Sequence, residues 1–135
     1  MSANRWNDPG LPVIYASANP SLAALETLAN LSHPSQFGER TLLHIRLHGT
    51  LEQVSIEHVL RLRADAPPHD PELLTRELGT RWLKEKRSLV LRAPSFVMPY
   101  DHNLIINPLH PEARDGMELL SAERLRLDQR LLHTT

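Results

Sequence analysis

Apolar residues recur along this chain in short blocks of two kinds, one with strand spacing and one with helix spacing. Residues 12–17, Pro-Val-Ile-Tyr-Ala-Ser, are a β-rich apolar run that predicts a strand. Asn19 and Pro20 follow as a helix start, a capping side chain ahead of a proline in the first turn. Leu22, Leu25, Leu28 and Ala29 then recur at helical spacing, predicting a helix over 20–32 that His33 and Pro34 end. From Thr41 to His48 the pattern alternates. Leu43, Ile45 and Leu47 share one side and His44, Arg46 and His48 the other, which predicts a half-buried strand.

Asp70-Pro71 opens a second helix, with Leu74, Leu78 and Trp82 along one face at steps of four. Leu89 to Arg92 and Leu104 to Ile106 are short apolar strands, joined through Pro94 and Pro99. Leu125, Leu127 and Leu131 alternate with charged residues in a last strand. Strands outnumber helices and the two kinds do not alternate regularly. The pattern predicts a single α+β domain, with mixed or antiparallel sheets and flanking helices, rather than a doubly wound sheet.

Composition narrows the possible partners. The chain has 135 residues, enough for one domain with its own core. Its formal net charge is -1, so the basic surplus that phosphate-backbone binding needs is missing and direct nucleic-acid binding is not expected. The basic stretch Arg124 to Arg130 is interrupted by Asp128. There is no cysteine, which excludes disulfides, thiolate nucleophiles and cysteine-ligated zinc. No apolar run reaches the length of a membrane span, and the polar start Met1 to Asn7 lacks a signal-peptide core. A soluble cytoplasmic protein is the expectation.

Five groups carry candidate chemistry, and each also has a plain structural reading. Arg5, in Arg5-Trp6-Asn7-Asp8-Pro9-Gly10, offers a fork that grips phosphate, or is a surface arginine beside a half-buried tryptophan. Tyr15 can stack on a flat ring and offer its hydroxyl, or sit in the core. Glu26 lies beside the apolar stripe of the first helix, where a carboxylate can orient a ribose or stabilise a developing cation, or simply face solvent. Ser95, after Ala93-Pro94, can donate to a ligand or hold a turn; without a glycine elbow it is not a hydrolase nucleophile. Asn103 and Asn107 flank an apolar strand, and such amides commonly lock loops by bonding backbone. His44 and His48 share a strand face, but neither H-E-x-x-H nor a carboxylate triad accompanies the eight histidines, so no metal site is expected. G-x-G-x-x-G and Walker motifs are absent as well, so any dinucleotide binds by another route.

The order of these groups is more specific than any one of them. Arg5-Trp6-Asn7, then Gly10-Leu11-Pro12-Val13-Ile14-Tyr15-Ala16-Ser17, then Ala23-Ala24-Leu25-Glu26 resembles the RES domain, a family named for its arginine, glutamate and serine. Gly79-Thr80-Arg81-Trp82 resembles the family's Gly-x-x-Trp. Pro94-Ser95 through Asn103, Asn107-Pro108 and His110-Pro111 resembles its P-S…N…N-P-x-H run, and Leu127-Asp128-Gln129-Arg130-Leu131 its closing D-x-R-L. The resemblance spans residues 4–131 and treats 1–135 as one RES domain.

The resemblance implies a fold related to ADP-ribosyltransferases and a toxin of a type II toxin–antitoxin pair, held in a hetero-oligomer with an Xre-type antitoxin. It implies NAD as substrate, cut at its nicotinamide–ribose bond by phosphorolysis or hydrolysis. An alternative it carries is ADP-ribosylation of a host protein such as phosphoribosyl pyrophosphate synthetase. By matching position, Arg5 would hold the NAD phosphates or ribose, Tyr15 would pack near the nicotinamide and Glu26 would be the catalytic carboxylate. Ser95 would help seat the nicotinamide or its ribose, and Asn107 would shape the pocket. The family pattern also carries a segment ahead of the arginine, and here only four residues precede Arg5. That departure implies a pocket short of one wall and adds a third expectation, an antitoxin-binding module with impaired catalysis. Ala24 stands where transferases acting on proteins often have a second glutamate, which points to a small acceptor such as water or phosphate.

Overall fold

The computed structural model describes residues 5–133; Asn4, where the resemblance begins, and the two C-terminal threonines lie outside them. Four strands form the main sheet: β1 (Ile14–Ser17), β3 (Leu51–Gln53), β4 (Val90–Pro94) and β5 (His102–Ile106), in the order β1-β5-β4-β3. The first two pairings are antiparallel, and β3 lies parallel to β4. A parallel pair needs a long crossover, supplied here by helices α2 (Ile56–Asp65) and α3 (Leu73–Glu85). Helix α1 (Pro20–Ala29) packs beside β1. A separate two-stranded ribbon pairs β2 (Glu39–Leu47) with β6 (Met117–Arg126), and a short helix α4 (Ala113–Gly116) leads into it. The α+β reading holds, with mixed pairing in one sheet.

The two faces of the main sheet bury different partners. One face packs Leu91, Ala93 and Ile105 against Val59 of α2, Trp82 and Leu83 of α3, and Trp6. The other packs Val90 and Ile106 with Leu89 against Leu47 and Met117 at the base of the ribbon. Trp82 is fully buried, and its indole N–H donates to Ser88 Oγ at 2.7 Å, so the largest core side chain leaves no polar atom unpaired.

Several local expectations change. Helix α1 begins as expected, with Asn19 Oδ1 accepting from the Leu22 amide at 2.9 Å, but it ends at Ala29. Its buried residues are Leu22 and Ala24, whereas Leu25 is exposed. In the ribbon, Leu43 is 53% exposed: core contacts are made at the two ends, by Leu47 and Met117 at one and by Leu125 with Phe37 and Leu132 at the other. A bulge between His44 and Ile45 inserts Leu120 on the partner strand. The last strand is Met117–Arg126 rather than one through Leu131; Gln129–Leu131 is a 3-10 turn capped by Asp128 Oδ1. Strand β3 and helix α2 have no counterpart in the expected elements. The helix's signal is Ser55 as cap, accepting from the His58 amide, followed by Ile56 and Val59.

An ion pair ties the N-terminal segment to this frame. Asp70 accepts from both terminal guanidinium nitrogens of Arg76, which also lies 3.9 Å from Asp8. The hydrogen bond from Arg76 holds the Asp70 carboxyl below the usual aspartate range. A depressed folded-state pKa adds stability that is complete above the ordinary aspartate value and is lost as the pH falls through the depressed one. Asp70→Asn is therefore expected to melt lower than the parent at neutral pH, with the difference closing in acid. Thermal melts between about pH 2 and 7 check this; a difference independent of pH overturns it.

Candidate active site

A cleft of about 270 Å³ opens where the N-terminal segment, β1, α1 and the loop after β4 meet. Its floor and walls include Arg5, Tyr15, Ser17, Glu26, Phe96 and Asn103. Thus four residues singled out from the sequence, Arg5, Tyr15, Glu26 and Asn103, from four separate segments, face one space.

Arg5 is placed by backbone contacts. Thr75 Oγ donates to its carbonyl at 2.7 Å, and the Asp8 amide donates to Thr80 Oγ at 2.9 Å. Between them, the Trp6 carbonyl approaches α3 so closely that a Cβ on Gly79 would lie 1.7 Å from it. Gly79 is a close-approach glycine, and the segment carrying Arg5 rests on it. The guanidinium stacks 4.9 Å from the Phe96 ring centre and lies 3.3 Å from Glu72. Arg63, from the helix the sequence did not reveal, stacks on the same ring at 4.8 Å.

Tyr15 presents its ring to the cleft, 37% exposed, while its hydroxyl donates to Oδ1 of the fully buried Asn7. Burial of the phenol raises its pKa well above the ordinary value, with a backbone hydrogen bond from Trp6 opposing the shift. Tyr15 is thus a neutral donor and flat surface, not a base.

Glu26 lies two turns into α1, on the face that Ala23 and Thr27 also turn to the cleft. One carboxylate oxygen accepts from Nδ2 of Asn103 on β5. Asn19, the cap of this helix, donates to Asp101 Oδ2 at 2.7 Å, so the helix start and the approach to β5 are joined as well.

Ser95 and Asn107 are not brought into the lining. Ser95 is buried, and its Oγ accepts from the Val97 and Met98 amides at 3.1 and 2.9 Å. It shapes the loop that presents Phe96 and Val97 to the cleft. Asn107 is buried at the far end of β5. It donates to the Leu83 carbonyl at 3.0 Å and accepts from the Leu109 amide at 3.0 Å. That is the loop-locking role its residue type suggests, and it places Asn107 away from the cleft. Among the described residues no three histidines, aspartates or glutamates gather as a metal site, and no helix is long and apolar enough to cross a membrane.

Phe96 and Arg63 are the site residues that sequence reading did not single out. Asn103 and Asn7 belonged to recognised motifs, but nothing in their spacing reveals which amide meets Glu26 or Tyr15.

The RES domain family model matches residues 1–128. A protein named Toxin Res from Pseudomonas putida is 36% identical over 131 residues, covering 96% of this chain and 86% of the relative. A second Toxin Res, from Yersinia enterocolitica, is 32% identical over 130 residues, covering 94% and 82%. A protein named Prs ADP-ribosylating toxin from Sphingobium sp. is 28% identical over 135 residues, covering 98% and 82%. With a family model across nearly its whole length and a relative above 30% identity, this chain belongs to the RES domain family.

Proposed function

We propose that this chain is the toxin of a toxin–antitoxin pair and cleaves the nicotinamide–ribose bond of NAD. The convergence of Arg5, Tyr15 and Glu26 on one cleft carries the reading. Relatives named as toxins, one of them ADP-ribosylating, support NAD as the substrate.

The residues fit the chemistry. Nicotinamide departs as a neutral ring from a positively charged nitrogen, so the enzyme need not protonate it. Positive charge instead develops on the ribose. An ionised carboxylate opposite that carbon stabilises it without rearranging during the reaction, and Glu26 is the carboxylate that lines the cleft. Tyr15 supplies a flat surface for the nicotinamide. Arg5 supplies a two-point grip for phosphate, with Arg63 adding charge beside it. The cleft's volume, about 270 Å³, sits near the lower end of small-molecule sites, about 300–1,000 Å³. It suits the nicotinamide riboside end, with the rest of the dinucleotide running past Arg5.

The acceptor decides the product. Water yields ADP-ribose, phosphate yields its phosphorylated form, and a protein side chain yields a modified protein. Ala24 favours a small acceptor: it is buried with Phe37 and Leu132, so this position offers no second carboxylate to the cleft. The relative named for Prs ADP-ribosylation favours the protein acceptor as the second reading. An Xre-type antitoxin would be the partner in the cytoplasm.

The test is nicotinamide release from NAD by the purified chain, with and without phosphate. Release that requires phosphate identifies phosphorolysis; release without it, followed by product mass, separates hydrolysis from transfer. No release from folded protein, with or without a cell extract supplying protein acceptors, overturns the reading. In the same assay Arg5→Ala is expected to weaken NAD binding by about 1.5–3 kcal/mol, the scale of a charge-assisted hydrogen bond. Unchanged affinity would remove Arg5 from the site.

A further inference from the structure

Glu26 does not hold its orientation alone. Asn103 donates to it from Nδ2, and Asn103 Oδ1 in turn accepts from Ser17 Oγ at 2.8 Å. Ser17 and Asn103 are register partners across the β1–β5 pair, so the sheet itself sets their approach. Ala93 of β4 completes the row on the other side of Asn103. The three polar groups all line the cleft.

The direction of this chain of hydrogen bonds has a chemical consequence. An asparagine amide has one end that donates and one that accepts. An ionised carboxylate only accepts, so only the NH₂ end can face Glu26. The Ser17 hydroxyl engages the oxygen end and so selects that orientation. Without it the amide can flip, and its oxygen would then oppose the carboxylate. With Oε2 held by Asn103, Oε1 takes no hydrogen bond among the described residues and remains available to a ligand.

We propose that Asn103, oriented by Ser17, is a positioning residue that fixes the Glu26 carboxylate for the reaction. The proposal rests on the NAD-cleaving reading above. Asn103 acts through Glu26: it sets which oxygen faces the ribose and keeps the carboxylate from turning toward solvent.

The experiment uses the full chain, freed of any partner, and measures kcat and KM for nicotinamide release, the pH profile of kcat and the melting temperature. Asn103→Ala is expected to lower kcat roughly ten- to a hundredfold with KM within about twofold, since misplacing a reacting group by about 1 Å costs up to about a hundredfold. Asn103→Asp sets two carboxylates at hydrogen-bond distance, which cannot both ionise freely. Its kcat profile should therefore gain an acid limb displaced upward by at least about one pH unit. Ser17→Ala should lower kcat in the same direction, and Ser17→Thr, which retains the hydroxyl, should restore it. Unchanged kcat in Asn103→Ala overturns the proposal. So does a loss that merely tracks the melting temperature while the Asn103→Asp profile keeps the parent shape, because that is the signature of a structural bond. A parent chain that releases no nicotinamide overturns the NAD-cleaving reading itself and this role with it, an outcome distinct from an active parent with active variants.

Discussion

Glu26→Gln is expected to lower the rate of nicotinamide release by about 10²–10³-fold, the loss of about 2.7–4 kcal/mol that removal of one electrostatic stabiliser typically causes. The substitution is nearly isosteric. Glutamine can still accept from Asn103 Nδ2 through its carbonyl oxygen, so the link between α1 and β5 survives. What disappears is the negative charge opposite the ribose, and the charge matters only as the cation develops. The fall should therefore appear in kcat, with the NAD affinity and the melting temperature close to those of the parent. Loss of toxicity in cells should accompany it, while any antitoxin partner should still be bound. Initial rates, NAD binding and a melt on one preparation separate these effects. A variant that releases nicotinamide at the parent rate would remove Glu26 from catalysis.

The second large effect concerns a residue outside the cleft. Gly79→Ala should destabilise the protein by about 2–4 kcal/mol, at or above the upper part of the range for overpacking, and lower the melting temperature by about 10 °C. Helix propensity alone predicts the opposite sign, since alanine is better than glycine inside a helix by about 1 kcal/mol. Packing decides the outcome. The new Cβ would lie 1.7 Å from the Trp6 carbonyl oxygen and 2.7 Å from its carbon. These are backbone atoms and cannot swing aside, so the N-terminal segment must lift from α3. Trp6 then loses its burial, and Arg5 loses the carbonyl contact to Thr75 that places it. NAD affinity should fall together with stability, as in Arg5→Ala. A Gly79→Ala variant that is more stable than the parent, with unchanged affinity, would show that the segment does not rest on this glycine.

These two residues mark what was legible in the chain. Glu26 and Arg5 were recognisable because their chemistry and order stand within a distinctive succession of motifs. Gly79 belonged to one of those motifs, but its reason, the backbone of Trp6 against the helix, lies 73 positions upstream in the sequence. Ser95 shows the converse. Its motif is recognisable, yet its hydroxyl accepts from the two amides of its own loop and lies behind the cleft wall. Local spacing cannot tell a serine that faces a ligand from one that faces a turn.

The sequence by itself determined the α+β class, the start of α1 at Asn19, the core-facing Leu78 and Trp82 of α3 and the family. These features depend on near neighbours: a cap satisfies an amide three residues on, and a helix stripe repeats within two turns. Only the tertiary structure decided that Leu43 is exposed, that α2 brings Arg63 onto Phe96, that Asn107 stays away from the cleft and that Asn103 holds Glu26. Burial depends on which distant element covers a face. The orientation of an amide depends on whichever donor or acceptor the sheet register places beside it. Both are set by contacts between residues tens of positions apart, which no local period records.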